Sequence, residues 1–169
     1  MNYSYRDCML LHKRRMLGLF WCIGLFAGGC CFLFGADHLV PQMRVSLTGN
    51  VSIVCFLCLI FLPPFLSILA VSTGMHSLLY GVAFGKAFLY SFSSTALLLS
   101  FGCAGWLARL LLGFSGFISI PVLYWFWLRC LRTDDGLSVS EVFCVLSVYL
   151  LIGSIDYCVI MPFWAYLYF

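Results

Sequence analysis

Two ionisable side chains lie within long apolar stretches of this sequence, Lys86 in "YGVAFGKAF" and Asp156 in "GSIDYCVIMP". A charge inside such a stretch is unfavourable and by default marks a functional site whose partner has to be named. The two side chains could form a buried ion pair that fixes helix register, or they could belong to a proton or ion relay. Because a relay needs several carboxylates or histidines, and His76 is the sole further candidate, we favour the structural pair.

Other residue patterns that could carry chemistry are weak. Cys55 and Cys58 form a CxxC motif, but no second pair and no nearby histidine accompany them, so a packing role is favoured over a redox or zinc site. Ser115 in "GFSGF" resembles a nucleophile elbow without a plausible acid–histidine pair. We therefore predict no catalytic residue, no cofactor and no metal site, and a protein that is not an enzyme.

Composition indicates the class of protein that must position these residues. Of 169 residues, 64% are hydrophobic and only 9% are charged, whereas soluble domains carry about a quarter charged residues. The net charge of +3 is too small to indicate nucleic-acid binding. The sequence predicts an all-α polytopic helical bundle in a bacterial cytoplasmic membrane, with lipid as its surroundings and residues 1–169 as a single domain.

Five apolar runs approach or exceed the ~20 residues that a membrane-spanning helix needs. They predict spans at approximately residues 16–34, 51–71, 77–102, 106–128 and 140–166. Basic residues are concentrated before the first run and between the fourth and the fifth, which places the N-terminus in the cytoplasm and the C-terminus outside.

Prolines and glycines mark where the helices are expected to bend or to pack closely. Pro63 and Pro64 should kink or interrupt the second helix, and Pro121 and Pro162 are further candidate breaks. Two GxxxG motifs predict close helix contacts, within the chain or between subunits. These motifs are formed by Gly24 with Gly28 and by Gly81 with Gly85.

Signals at the helix ends are also present. Ser72-Thr73-Gly74 predicts a turn between the second and third helices. Ser138 or Ser140 is expected to cap the last helix, with Glu141 in its first turn.

The order of these features resembles the stage II sporulation protein M family of five-span bacterial membrane proteins. The resemblance is carried by four short stretches: "HKRRMLGLFWCIGLFAGG", "GMHSLLYGVAFGKAF", "LLLGFSGFISIPVLYWF" and "IGSIDYCVIMP". In the last one the family tends to carry an acid, usually Glu, followed by Pro; here these positions are Asp156 and Pro162.

The resemblance implies a scaffold that anchors cell-wall hydrolases, the stage II sporulation proteins D and P, during engulfment of the forespore. Catalysis would then belong to these partners. The alternative is the membrane subunit of a transporter or permease with a separate ATPase, for which Pro63-Pro64, Lys86 and Asp156 would form a polar cavity. The sequence alone does not determine the oligomeric state.

Overall fold

The described residues are almost all helical and include no strand, which confirms the all-α prediction. The structure is a computed structural model that describes residues 2–38, 53–75, 77–132, 137–155 and 158; within the helices it leaves out the side chains of residues 2–7, 53–59, 103–104, 107–115 and 117. The described helices are α1 (Asn2–Phe34), α2 (Ile53–Ser72), α3 (Ser77–Phe101), α4 (Cys103–Arg132) and α5 (Val139–Ile155).

Helix α1 begins well before the apolar run predicted at residue 16, so the basic residues that precede this run are helical. Helix α3 matches its predicted bounds to within one residue. The part of the last predicted span that follows Ile155 lies outside the described residues, apart from Cys158. Within the described part of the chain, two segments are long and apolar enough to cross a membrane, Cys8–Phe34 and Ser77–Phe101.

Glycines form the two short turns on either side of α3. Gly74 has a φ of 71° and Gly102 a φ of 56°, in the left-handed region that a side chain disfavours. The N–H of Gly74 donates to the carbonyl of Val71, and that of Gly102 donates to the carbonyl of Leu98. Each turn thus reverses the chain at once, and α3 runs antiparallel to both α2 and α4.

Among the described residues, helix α1 packs on α3 more extensively than any other two helices pack together. The contact repeats every four residues, at positions 20, 24, 28 and 32 of α1, and joins each of these four to the residue 60 positions later. Phe20 stacks on Tyr80 with ring centroids 5.6 Å apart, and Phe32 meets Phe92 edge-on at 5.1 Å. Increasing numbers pair with increasing numbers, so α1 and α3 are parallel.

Gly24 and Gly28 lie between these two ring contacts, at the seam where the helices approach most closely. A Cβ atom added to Gly24 would collide with the carbonyl oxygen of Phe84, and one added to Gly28 with that of Phe88. Small residues spaced four apart allow this approach. This GxxxG motif is therefore a helix–helix contact within the chain, as predicted.

Gly81 and Gly85 lie on an open part of α3. An added Cβ would meet no described atom within 4 Å at either position, so they form no close contact within the described part of the chain. The spacing is the same as in the α1 motif, but the face of the helix is different. A contact between subunits at these two glycines stays a prediction.

The remaining helices form a second layer against α3. Helices α2 and α4 contact α3, and α5 packs on α2 and α4. The described core is concentrated near the end where α1 and α3 begin, and its fully buried members include Leu17, Leu79, Leu123, Phe126, Trp127, Cys130 and Val145. Trp21 of α1 reaches Trp127 of α4 with ring centroids 6.0 Å apart, which joins the two layers.

Gly24→Ala and Gly28→Ala should each destabilise the protein by about 1–3 kcal/mol, the usual cost of overpacking. The added methyl would meet the backbone of α3, which cannot rotate away. Thermal unfolding of the purified protein in mild detergent measures the effect as a lower midpoint.

Gly18→Ala is the matched control because it lies in the same helix and an added Cβ there meets no described atom within 4 Å. It should leave the midpoint unchanged or raise it slightly, since Ala is favoured over Gly within a helix by about 0.5–1 kcal/mol. Equal effects of all three substitutions would contradict the close seam.

Candidate functional site

Of the two predicted intramembrane charges, Lys86 lies within the described residues and Asp156 does not. Lys86 is half-buried on α3, within the candidate span Ser77–Phe101. Asp156, Pro162 and His76 lie outside the described residues. The ion pair between Lys86 and Asp156 therefore stays a prediction.

The predicted helix breaks at Pro63, Pro64 and Pro121 all fall inside continuous helices. Pro63 and Pro64 lie within α2 and are buried, while Pro121 lies within α4 and is exposed. A proline removes one backbone donor from the ladder and leaves a carbonyl without its usual partner. Neither helix ends at these residues, so they locally alter the ladder and do not divide the helix.

A buried hydrogen-bonded chain runs from α4 to the proline pair of α2. The indole Nε1–H of Trp127 donates to the Ser67 Oγ at 2.8 Å, and this hydroxyl donates to the Pro63 carbonyl at 2.7 Å. Ser67 is 0% exposed and Trp127 1%. We call this chain of three residues the α2–α4 bridge; it satisfies the buried polar atoms of both side chains.

Two further polar contacts join α4 to α5. The buried Tyr149 hydroxyl donates to the Ser119 carbonyl at 3.2 Å. At the other end of the pair, Arg129 Nε donates to Glu141 Oε1 at 2.6 Å in a partly exposed ion pair. The residue numbers fall on one helix as they rise on the other, so α4 and α5 are antiparallel.

The same Glu141 completes the N-terminal cap of α5. Its Oε2 accepts from the Ser138 backbone N–H at 3.1 Å, while its own N–H donates to the Ser138 Oγ at 3.3 Å. These reciprocal bonds form a capping box. Of the two serines predicted as caps, Ser138 is therefore the cap, and Glu141 lies in the first turn as expected.

A crevice of about 290 Å³ lies between α1 and α3, large enough for several water molecules. Hydroxyl groups line its α3 side, and apolar residues complete it. Its lining residues are Leu25, Tyr90, Ser91, Ser94, Thr95 and Leu98. One of these hydroxyls already has a hydrogen-bond partner, because the Thr95 hydroxyl donates to the Ser91 carbonyl at 2.9 Å.

The other residue patterns that could carry chemistry add no site within the described residues. Among the described residues, no group of three or more His, Cys, Asp or Glu side chains could hold a metal ion. The side chains of Cys55, Cys58 and Ser115 lie outside the described part.

Comparison with known proteins adds no relative. No protein-family model, no curated protein and no solved structure matches this chain. Function is therefore inferred from the residues themselves and from the short motifs of the sequence.

Sequence reasoning missed the α2–α4 bridge, although one local signal for it was present. Ser67 follows Pro63 by four residues, the spacing at which a serine hydroxyl reaches back to a helical carbonyl. Its second partner, Trp127, is 60 residues away, and no periodic pattern links two residues at that separation.

Ser67→Ala should destabilise the protein by about 1–3 kcal/mol, because it leaves the buried indole N–H of Trp127 without an acceptor. Trp127→Phe should also destabilise, but adding Ser67→Ala to it should cost less than in the wild type. Unfolding midpoints of the two single variants and the double variant measure this coupling.

Ser93→Ala is the control, since the hydrogen bonds of Ser93 within the described structure stay in its own helix, to the carbonyls of Leu89 and Tyr90. Its unfolding midpoint should stay close to that of the wild type. Strictly additive effects of Ser67→Ala and Trp127→Phe would show that the bridge does not contribute as a unit.

Proposed function

We propose that this protein is a non-catalytic, five-span scaffold of the bacterial cytoplasmic membrane. In this proposal the N-terminus is cytoplasmic, the C-terminus is outside, and the spans are those predicted from the apolar runs. The resemblance to the stage II sporulation protein M family adds the partners, cell-wall hydrolases of the sporulation D and P type, and the setting, forespore engulfment.

The observation that carries the proposal is where the buried polar groups point. The Trp127 indole, the Ser67 hydroxyl and the Tyr149 hydroxyl all bond across or along helices of the same bundle. Groups used in this way hold helices in one arrangement and are not directed at a ligand. A fixed bundle that presents its ends to partners is what a scaffold requires.

The alternation of helix directions supports the proposed topology. Helices α1, α3 and α5 run one way, and α2 and α4 run the other. The end of α4, with Arg129 and Arg132, therefore lies at the same end of the bundle as the basic start of α1. In a five-span protein both would lie in the cytoplasm, as the excess of positive charge favours.

A transporter or permease subunit is the second candidate, and the crevice between α1 and α3 favours it. Its hydroxyl-lined wall and the half-buried Lys86 lie on the same helix. Polar groups at membrane depth can mark a solute or ion path. Such a subunit would bind a separate ATPase in place of a hydrolase.

Reporter fusions should test the topology at four junctions. Alkaline phosphatase, which is active only outside the cytoplasm, should be inactive after Gly74 and Gly136 and active after Gly102 and Phe169. Beta-galactosidase fused at the same junctions should give the reciprocal pattern. The inverse pattern would reverse the orientation, and activity that does not alternate would refute the five spans.

Partner capture should separate scaffold from transporter. The full-length chain, tagged at its N-terminus and purified in mild detergent from its own cells while the envelope is being remodelled, should enrich a peptidoglycan hydrolase. The matched control is the same tag on an unrelated polytopic protein expressed at equal level. Enrichment of an ATP-binding subunit without a hydrolase would favour transport, and recovery of neither would reject the scaffold.

A further inference from the structure

One end of the bundle carries a concentration of exposed positive charge on two different helices. His12, Arg14 and Arg15 of α1 are exposed and Lys13 is half-buried, while Arg132 at the end of α4 is exposed. We call Lys13, Arg14, Arg15 and Arg132 the basic rim. At that end Arg129 is bonded to Glu141 and is not counted in the rim.

An aromatic layer lies directly below the basic rim. Trp21 contacts Trp127, and Tyr80 stacks on Phe20, so residues of three helices reach the same level. Trp125, at nearly this level on α4, is 49% exposed. Trp127 itself is buried in the core, so the exposed Trp125 is the side chain near this level that marks the boundary between hydrocarbon and headgroups, as tryptophan commonly does in membrane proteins.

The helical rise gives the height of the basic rim above this layer. Arg132 follows Trp127 by five residues, and Arg15 to Lys13 precede Trp21 by six to eight. At about 1.5 Å per residue, these positions lie roughly 7–12 Å beyond the tryptophan pair. The headgroup region on each side of the hydrocarbon is roughly 5–7 Å thick, so the flexible basic side chains reach the lipid phosphates.

From this geometry we propose that the basic rim binds anionic phospholipid headgroups. These headgroups belong to the membrane leaflet at the end of the bundle that carries the rim. Clustered Lys and Arg beside a membrane span attract anionic lipid, with a contribution from each charge. The α1 part of the rim carries the excess positive charge. Arg6 and Asp7, which precede it, cancel each other in charge. Arg132, in contrast, is followed in the sequence by two acidic residues, Asp134 and Asp135. This inference depends on the membrane location in the proposed function but not on any protein partner.

Native mass spectrometry of the full chain in mild detergent tests the proposal. The probe is an equimolar mixture of phosphatidylglycerol and phosphatidylcholine with identical acyl chains. The wild type should retain phosphatidylglycerol preferentially, and the preference should weaken as ionic strength rises, because salt screens exposed charges. Equal retention of the two lipids would overturn the proposal.

Two triple variants separate charge from shape. Lys13→Gln, Arg14→Gln and Arg15→Gln together should lower the phosphatidylglycerol preference roughly tenfold or more. Lys13→Arg, Arg14→Lys and Arg15→Lys together keep all three charges and should keep the preference. An unchanged preference in the glutamine variant would also overturn the proposal; if that variant does not fold, the salt dependence of the wild type decides.

Alkaline carbonate extraction of cell membranes tests membrane location separately from lipid binding. Release of the wild-type chain into the soluble fraction would contradict the membrane scaffold itself. A chain that stays in the membrane but shows no preference for phosphatidylglycerol would contradict only the lipid site.

Discussion

The close parallel contact between α1 and α3 is the constraint on which the rest of the arrangement depends. At Gly24 and Gly28 the backbone of α3 occupies the space of a side chain, so the two helices cannot slide past one another without a collision. The ring contacts of Phe20 with Tyr80 and of Phe32 with Phe92 fix the same register at either end. Once this register is set, the short turns at Gly74 and Gly102 determine where α2 ends and where α4 begins.

Hydrogen bonds define the second layer more specifically than apolar burial does. In an apolar surrounding, burial of leucine or phenylalanine gains little over lipid contact and does not select a rotation of the helix. The Trp127 indole selects one, because its N–H has to meet Ser67 while its ring lies against Trp21. One side chain thus ties α4 to α2 by a hydrogen bond and to α1 by packing.

The sequence predicted features that depend on local spacing and left open those that depend on which face is covered. The helical class, the turn at Gly74, a serine cap at Ser138 or Ser140 and the contact at Gly24 and Gly28 all follow from neighbouring residues. Gly81 and Gly85 have the same spacing as the α1 pair yet lie on an open face of α3. The bond between Ser67 and Trp127 joins residues 60 positions apart, and only the packing of the whole bundle brings them together.

The same seam bears on the choice between a scaffold and a transporter. The crevice is lined on α3 by residues from Tyr90 to Leu98, past the level where Gly28 meets Phe88, and on α1 by Leu25, between the two seam glycines. At Gly24 and Gly28 the backbone of α3 lies against glycine and leaves no room there for even a methyl group between the helices. Transport along this seam would have to separate the two helices that pack most extensively among the described residues, whereas a scaffold uses the bundle as it stands.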